Sequence, residues 1–225
     1  MKHESGEKIQ YTKRWFAYFD LLGFSDLVQQ KSISQIMPLY NKALDQLERS
    51  PEEKKQQGIY VSWFSDTFIV YSRGSKAEDF ANIEHVSRLF FQHLILNKIA
   101  VRGALTFGEL YSQQEKNIFV GPALIDAYRY GEGVNWLGFI LTPNAINRLE
   151  EVSLPARERN FYRGVTDETL FKPGIKGPIS AFSFNNGLVQ GKNPYLKALS
   201  EMRAQADPKF QEKYDNTISF IQKYA

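Results

Sequence analysis

Two β-prone runs, Ile59–Phe64 and Thr67–Tyr71, stand two residues apart, with only Ser65-Asp66 between them. So short a link predicts an antiparallel hairpin, although Ser-Asp is not the favoured Asn-Gly type of turn. Helical patterns flank the hairpin. From about Asp26 to Arg49, Ile33, Ile36, Met37, Tyr40, Leu44 and Leu47 recur in steps of three and four. That spacing predicts one amphipathic helix, with Asp26 available as its cap and Ser50-Pro51 through Gln57 as its stop. From about Ala77 to Lys98, Phe80, Ile83, Val86, Phe90 and Leu94 mark a second helix. The aromatic run Arg14–Asp20 predicts a buried strand that Gly23 ends, and Val101–Leu110 a strand broken near Gly103 and Gly108. The order β-α-β-β-α-β is the split βαβ arrangement of a ferredoxin-like sheet, an α+β fold.

An extra helix and strand follow, Gly121–Glu132 and Leu137–Leu141, after a short strand at Asn117–Val120. Pro143–Glu151 predicts a short helix with proline in its first turn. Phe161–Val165 and Ile179–Phe184 are further β-prone runs. The composition changes at Gly191-Lys192-Asn193-Pro194, and Tyr195–Ala206 and Pro208–Tyr224 read as rather polar helices. The expected organisation is an N-terminal arm at 1–12, one domain at 13–190 and a helical C-terminal appendage at 191–225. There is no internal repeat.

Hydrophobic residues make up 43% of the 225 and aromatics 14%, enough for a packed core. A net charge of +3 is too weak to argue for nucleic acid. The absence of cysteine excludes disulfides, zinc–thiolate sites, iron–sulfur clusters and cysteine nucleophiles. The N-terminus lacks the apolar stretch of a signal peptide, and no window is apolar enough for a membrane helix, so a soluble cytoplasmic protein is expected. His3 falls in the arm. His85 and His93 stand two helical turns apart, too far for the i, i+4 pair of a zinc helix.

Asp20 ends the first strand and Asp66 lies in the hairpin turn. In this topology the first strand pairs beside the hairpin, so both carboxylates can project from one sheet edge. Two such acids suit Mg²⁺ or Mn²⁺, which take hard oxygen ligands and can bridge phosphates. A lone Asp after a strand is, by contrast, ordinarily a turn former or a helix cap.

Four segments carry a resemblance. Phe19-Asp20-Leu21-Leu22-Gly23-Phe24-Ser25 resembles the Asp-Ile-x-Gly-Phe-Ser/Thr segment of class III adenylyl and guanylyl cyclases. Phe64-Ser65-Asp66-Thr67-Phe68 resembles their Gly-Asp hairpin, with Ser65 in place of Gly. Val101 through Glu109 is similar to their Arg-x-Gly-Ile-x-x-Gly strand, and Gly121 through Arg129 to Gly-x-x-Val-Asn-x-Ala-x-Arg. The spellings Arg102-Gly103-Ala104, Gly121-Pro122-Ala123, Ala127-Tyr128-Arg129 and Asn135-Trp136-Leu137-Gly138 resemble bacterial pyrimidine cyclases of the Pycsar anti-phage system.

The resemblance implies a ferredoxin-like class III cyclase core. It implies a homodimer with composite interface sites, and two Mn²⁺ or Mg²⁺ ions per site held by Asp20, Asp66 and the carbonyl of Leu21. A nucleoside triphosphate, UTP before CTP, would be cyclised to its 3′,5′-cyclic monophosphate with release of pyrophosphate. Arg129 of the second copy would steady the transition state. Lys176, then Lys172, would touch the phosphates. The family's transition-state Asn falls at Ile125, and Asn135 is a possible substitute. The two positions that read a purine fall at Ser62 and Ile118, neither of them the Lys/Asp or Glu/Cys pair of the purine enzymes. Tyr18, Ser62, Trp63 and Trp136 are expected to line the base pocket, although strand aromatics are ordinarily core. The alternatives are a catalytically silent cyclase-like domain, a purine cyclase, and a palm-type diguanylate cyclase or polymerase. The hairpin lacks the acidic turn of a diguanylate cyclase.

Overall fold

The computed structural model describes residues 9–48, 58–153, 156–185 and 193–224. The first eight residues of the expected arm, the Ser50-Pro51 stop with the polar run to Gln57, and the Gly191-Lys192 boundary lie outside the described residues.

Strand β1 (Thr12–Leu21) is a central strand of the sheet, and its run from Trp15 to Phe19 is buried on both faces. Strands β2 (Ile59–Phe64) and β3 (Thr67–Ser72) form the predicted hairpin, with Ser65 at φ 56° turning the corner. Strand β4 (Val101–Gln113) runs unbroken past Gly103 and Gly108, where a break was expected. At Gly103 a β-carbon would stand 2.7 Å from the Tyr18 carbonyl oxygen. The glycine thus marks close approach to β1, not the end of a strand. Strand β5 (Ile118–Val120) folds back on β4. Strands β6 (Phe139–Leu141), β7 (Tyr162–Gly164) and β8 (Ser180–Phe182) complete the sheet order β2-β3-β1-β4-β6-β8-β7.

The helix expected from Asp26 to Arg49 is two helices, α1 (Phe24–Gln30) and α2 (Ile33–Glu48). Ser32 restarts the chain: its N–H donates to Gln35 Oε1 at 3.1 Å, and its carbonyl accepts from the Gln35 N–H at 3.0 Å. Of the predicted apolar face, Ile36 and Leu47 are buried while Ile33 and Met37 are exposed. Helix α3 (Ala77–Leu96) packs with α2 on the sheet face that carries Trp15, Ala17 and Phe19. Helix α4 (Pro122–Gly133) covers β4 and β1 on the opposite face. Helices α5 (Pro143–Val152) and α6 (Ala156–Arg159) follow.

The C-terminal helices α7 (Pro194–Gln205) and α8 (Pro208–Tyr224) match the predicted runs. Tyr195, Leu199, Phe220 and Ile221 join the same core as Trp136 and Phe139. Each such side chain contributes roughly 1.5–3 kcal/mol by burial. Among the described residues, no helix is long and apolar enough to cross a membrane.

Candidate active site

Strand pairing decides which side chains share an end of the sheet. Asp20 stands opposite Thr67 on β3 and opposite Arg102 on β4. The next residue, Leu21, donates its N–H to the Asp66 carbonyl oxygen at 3.1 Å. The hairpin turn is therefore tied to the end of β1, and both aspartates lie at that end. Their charges act on each other. Burial pushes the Asp20 carboxyl up to about 6, the Arg102 charge draws it down, and the charges of Glu132 and Asp66 push it up.

Arg102 balances this acidic end and is 7% exposed. Its Nε and Nη2 donate to Asp20 Oδ2 at 3.1 and 3.0 Å. Its Nη1 donates to the Glu132 carbonyl at 3.1 Å, and Nη2 also pairs with the Glu132 carboxylate. Tyr18 Oη donates to Glu132 Oε1 at 3.4 Å; burial, then the charges of Asp20 and Glu132, push its phenol up. Among the described residues there is no cluster of three His, Cys, Asp or Glu groups. The donors nevertheless fit a hard cation. Both Arg102 bonds fall on Asp20 Oδ2, leaving Oδ1, and a cation would relieve the repulsion between the acids. Mg²⁺ is ordinarily held by one or two carboxylates together with substrate phosphates.

The remaining predicted residues are dispersed by strand parity and packing. Tyr18, Ser62 and Asp20 share one sheet face, because Tyr18 and Ser62 both stand opposite Ile69 and side chains alternate along a strand. Ser62 Oγ donates to Asn117 Oδ1 at 3.0 Å, next to exposed Ile118. Trp63, one residue on, falls on the opposite face from Ser62. Trp136 is fully buried, with its ring 4.3 Å from that of Phe220, so it is a core residue and not an open platform for a base. Arg129 stands exposed on α4 and donates to the Gly174 carbonyl at 2.6 Å. Lys172 and Lys176 are exposed on the same loop, and the Lys176 carbonyl accepts from Tyr130 Oη at 2.6 Å.

No protein-family model and no curated protein matches the chain. Solved structures do. The adenylyl cyclase CyaB from P. aeruginosa superimposes with a TM-score of 0.58 at 11% identity, over 83% of this chain and 100% of that one. The guanylate cyclase domain of RhGC from Catenaria anguillulae, solved in complex with GTP, gives 0.55 at 13% identity over 77% and 97%. A bacterial light-regulated adenylyl cyclase gives 0.53 at 13% identity over 87% and 98%.

The fold is that of a class III cyclase catalytic domain. Within this cyclase fold, two residues of the acidic end were not among the sequence candidates, Arg102 and Glu132. The signal for Arg102 was present in its quoted strand motif, but its role follows only from the register that sets it opposite Asp20. Ile125 is 68% exposed on α4 and has no polar group to offer. A cleft of about 560 Å³ opens beside the loop after β1, lined among others by Leu21, Gly23, Tyr40, Phe210 and Tyr214.

Proposed function

We propose that the protein is a nucleotidyl cyclase that converts a nucleoside triphosphate to its 3′,5′-cyclic monophosphate and pyrophosphate. The observation that carries this reading is the tie between Leu21 and Asp66, which holds the two aspartates at one end of the sheet. Two divalent cations bound by Asp20, Asp66 and the Leu21 carbonyl would neutralise the triphosphate and make the ribose 3′-hydroxyl a better nucleophile. With Asp20 shared with a cation, Arg102 would be free in part to serve the phosphates as a forked donor. Arg129 of a second copy steadies the charge that grows on the α-phosphate in the transition state. Exposed Ile125 and Tyr128 on α4, with Ile118 and Val120 on β5, support pairing of two such chains.

The substrate we favour is a pyrimidine, UTP before CTP. Ser62 is engaged by Asn117 and Ile118 is apolar, so the donor and acceptor that a purine edge requires are lacking at those two positions. Pyrimidine specificity would accord with a role in anti-phage signalling. Ile125 supports a second reading, a cyclase-like domain that binds nucleotide without turnover.

The test is incubation with Mn²⁺ and the four ribonucleoside triphosphates, with products resolved by mass. Wild type is expected to release pyrophosphate and a cyclic monophosphate, and Asp66→Ala neither. Undiminished activity in Asp66→Ala would refute the two-cation scheme. Binding without pyrophosphate release in wild type would favour the silent reading.

A further inference from the structure

The C-terminal helix α8 spans both walls of the acidic end. Near its start, Lys209 Nζ pairs with Asp26 Oδ2 at 2.6 Å. The Phe210 ring lies 3.7 Å from where a β-carbon on Gly23 would stand, against the loop that follows Asp20. Two turns on, α8 grips the loop that follows Glu132. Asn216 Nδ2 donates to the Asn135 carbonyl at 2.9 Å, and Thr217 Oγ1 accepts from the Leu137 N–H at 2.8 Å. Lys213 lies between these two anchors, on the helical face shared by positions three and four apart. Its Nζ donates to Asn135 Oδ1 at 3.2 Å. Among the described residues, its other two ammonium protons have no hydrogen-bond partner.

We propose that Lys213 is a polyphosphate-binding residue, so that α8 supplies one wall of the site for the β- and γ-phosphates of the nucleotide. This rests on the cyclase reading above and assigns the C-terminal helices a part in it. The surroundings of Lys213 point to a missing anion. Burial, then the like charges of Arg102 and Lys172, push its ammonium down, and Glu132 and Glu212 only partly offset them. A cation held among cations, half out of water, is stabilised by a multiply charged anion that meets all three. Asp20 and Asp66 cannot serve as that anion while they hold cations. A triphosphate arriving with those cations can. Lys172, whose charge also acts on Lys213, donates its N–H to the Gly133 carbonyl at 2.8 Å, which ties its loop to the end of α4.

The probe is inorganic tripolyphosphate with Mn²⁺, titrated calorimetrically into the full chain, so that binding is read without turnover. Lys213→Gln keeps a donor for Asn135 and removes only the charge. It is expected to weaken tripolyphosphate about tenfold, a typical effect for one lost charge-assisted contact, and Lys213→Arg is expected to restore it. In the product assay Lys213→Gln should raise KM for the nucleoside triphosphate and weaken pyrophosphate inhibition in parallel, with kcat changed less than KM. The melting temperature of Lys213→Gln, measured without ligand, is expected to equal or exceed that of wild type, because the disfavoured charge is gone. Wild-type affinity for tripolyphosphate in Lys213→Gln would overturn the assignment even if the wild-type protein proves to be a cyclase. Weakened binding in Lys213→Gln alongside a wild type that forms no cyclic product would sustain the anion site and overturn the cyclase reading. A wild-type chain that fails to bind tripolyphosphate would overturn both.

Discussion

Asp20→Asn is expected to stabilise the metal-free protein at alkaline pH while abolishing its response to Mn²⁺. Burial at the end of β1 outweighs the attraction of Arg102, so the carboxyl titrates near 6 and not at its usual 3.8. A folded state that holds a proton more tightly than the unfolded chain loses stability as pH rises. For Asp20 that loss starts near the unfolded value of 3.8 and is complete above about 6. At roughly 1.4 kcal/mol per pH unit it amounts to about 3 kcal/mol. The side chain is 16% exposed. Solvent screening reduces the working figure to about 2 kcal/mol. Asparagine is neutral at every pH, keeps an oxygen for Arg102 and leaves Arg102 paired with Glu132. Urea unfolding in the presence of a chelator should therefore give similar stabilities near pH 4, and a variant more stable than wild type by about 2 kcal/mol near pH 8. A variant less stable than wild type at the higher pH would refute the reasoning. It would mean that the Arg102 pair outweighs desolvation and that no cation is needed to justify the charge.

Arg129→Ala is expected to lower turnover by about 10²–10³, the typical worth of a transition-state donor, while leaving the unfolding midpoint unchanged because the side chain is exposed. Steady-state kinetics with a melting curve checks both. Gly131→Ala should act on the fold instead. Its β-carbon would stand 2.8 Å from the Tyr18 ring, so α4 must lift from β1. A loss of roughly 1–3 kcal/mol in urea unfolding is expected.

Much of the fold was readable because the strong periodic segments are also the buried ones. The Ile59–Phe64 hairpin strand, the Ala77 helix and the Pro208 helix end within two residues of their predicted bounds. The division at Ser32 was missed although Ser32-Ile33-Ser34-Gln35 carries the S-x-x-Q spacing of a helix start. The apolar stepping that begins at Ile33 was extended back across it to Asp26. Gly103 and Gly108 read as breaks because sequence shows a missing side chain but not the neighbour that needs the space. Of the site, Asp20 and Asp66 could be found from their places at strand ends. Arg102 and Glu132 could not, since each acquires its role from a cross-strand or helix–strand partner distant in the chain. Trp63 and Ser62 were grouped together as base-pocket candidates, yet simple alternation along β2 already sends them to opposite faces. Trp136 looked available because nothing local reveals that Phe220 will cover it.

The pairing of β1 with β3 and β4 has a consequence for how such a chain can diverge. Letters differ widely between this chain and proteins of the same fold, at 11–13% identity. Parity is not free to change. Insertion or loss of a single residue between Trp15 and Asp20 would turn the carboxylate to the side where Phe19 now packs on Phe90. In this sheet the candidate site is therefore held by odd and even position as much as by residue identity.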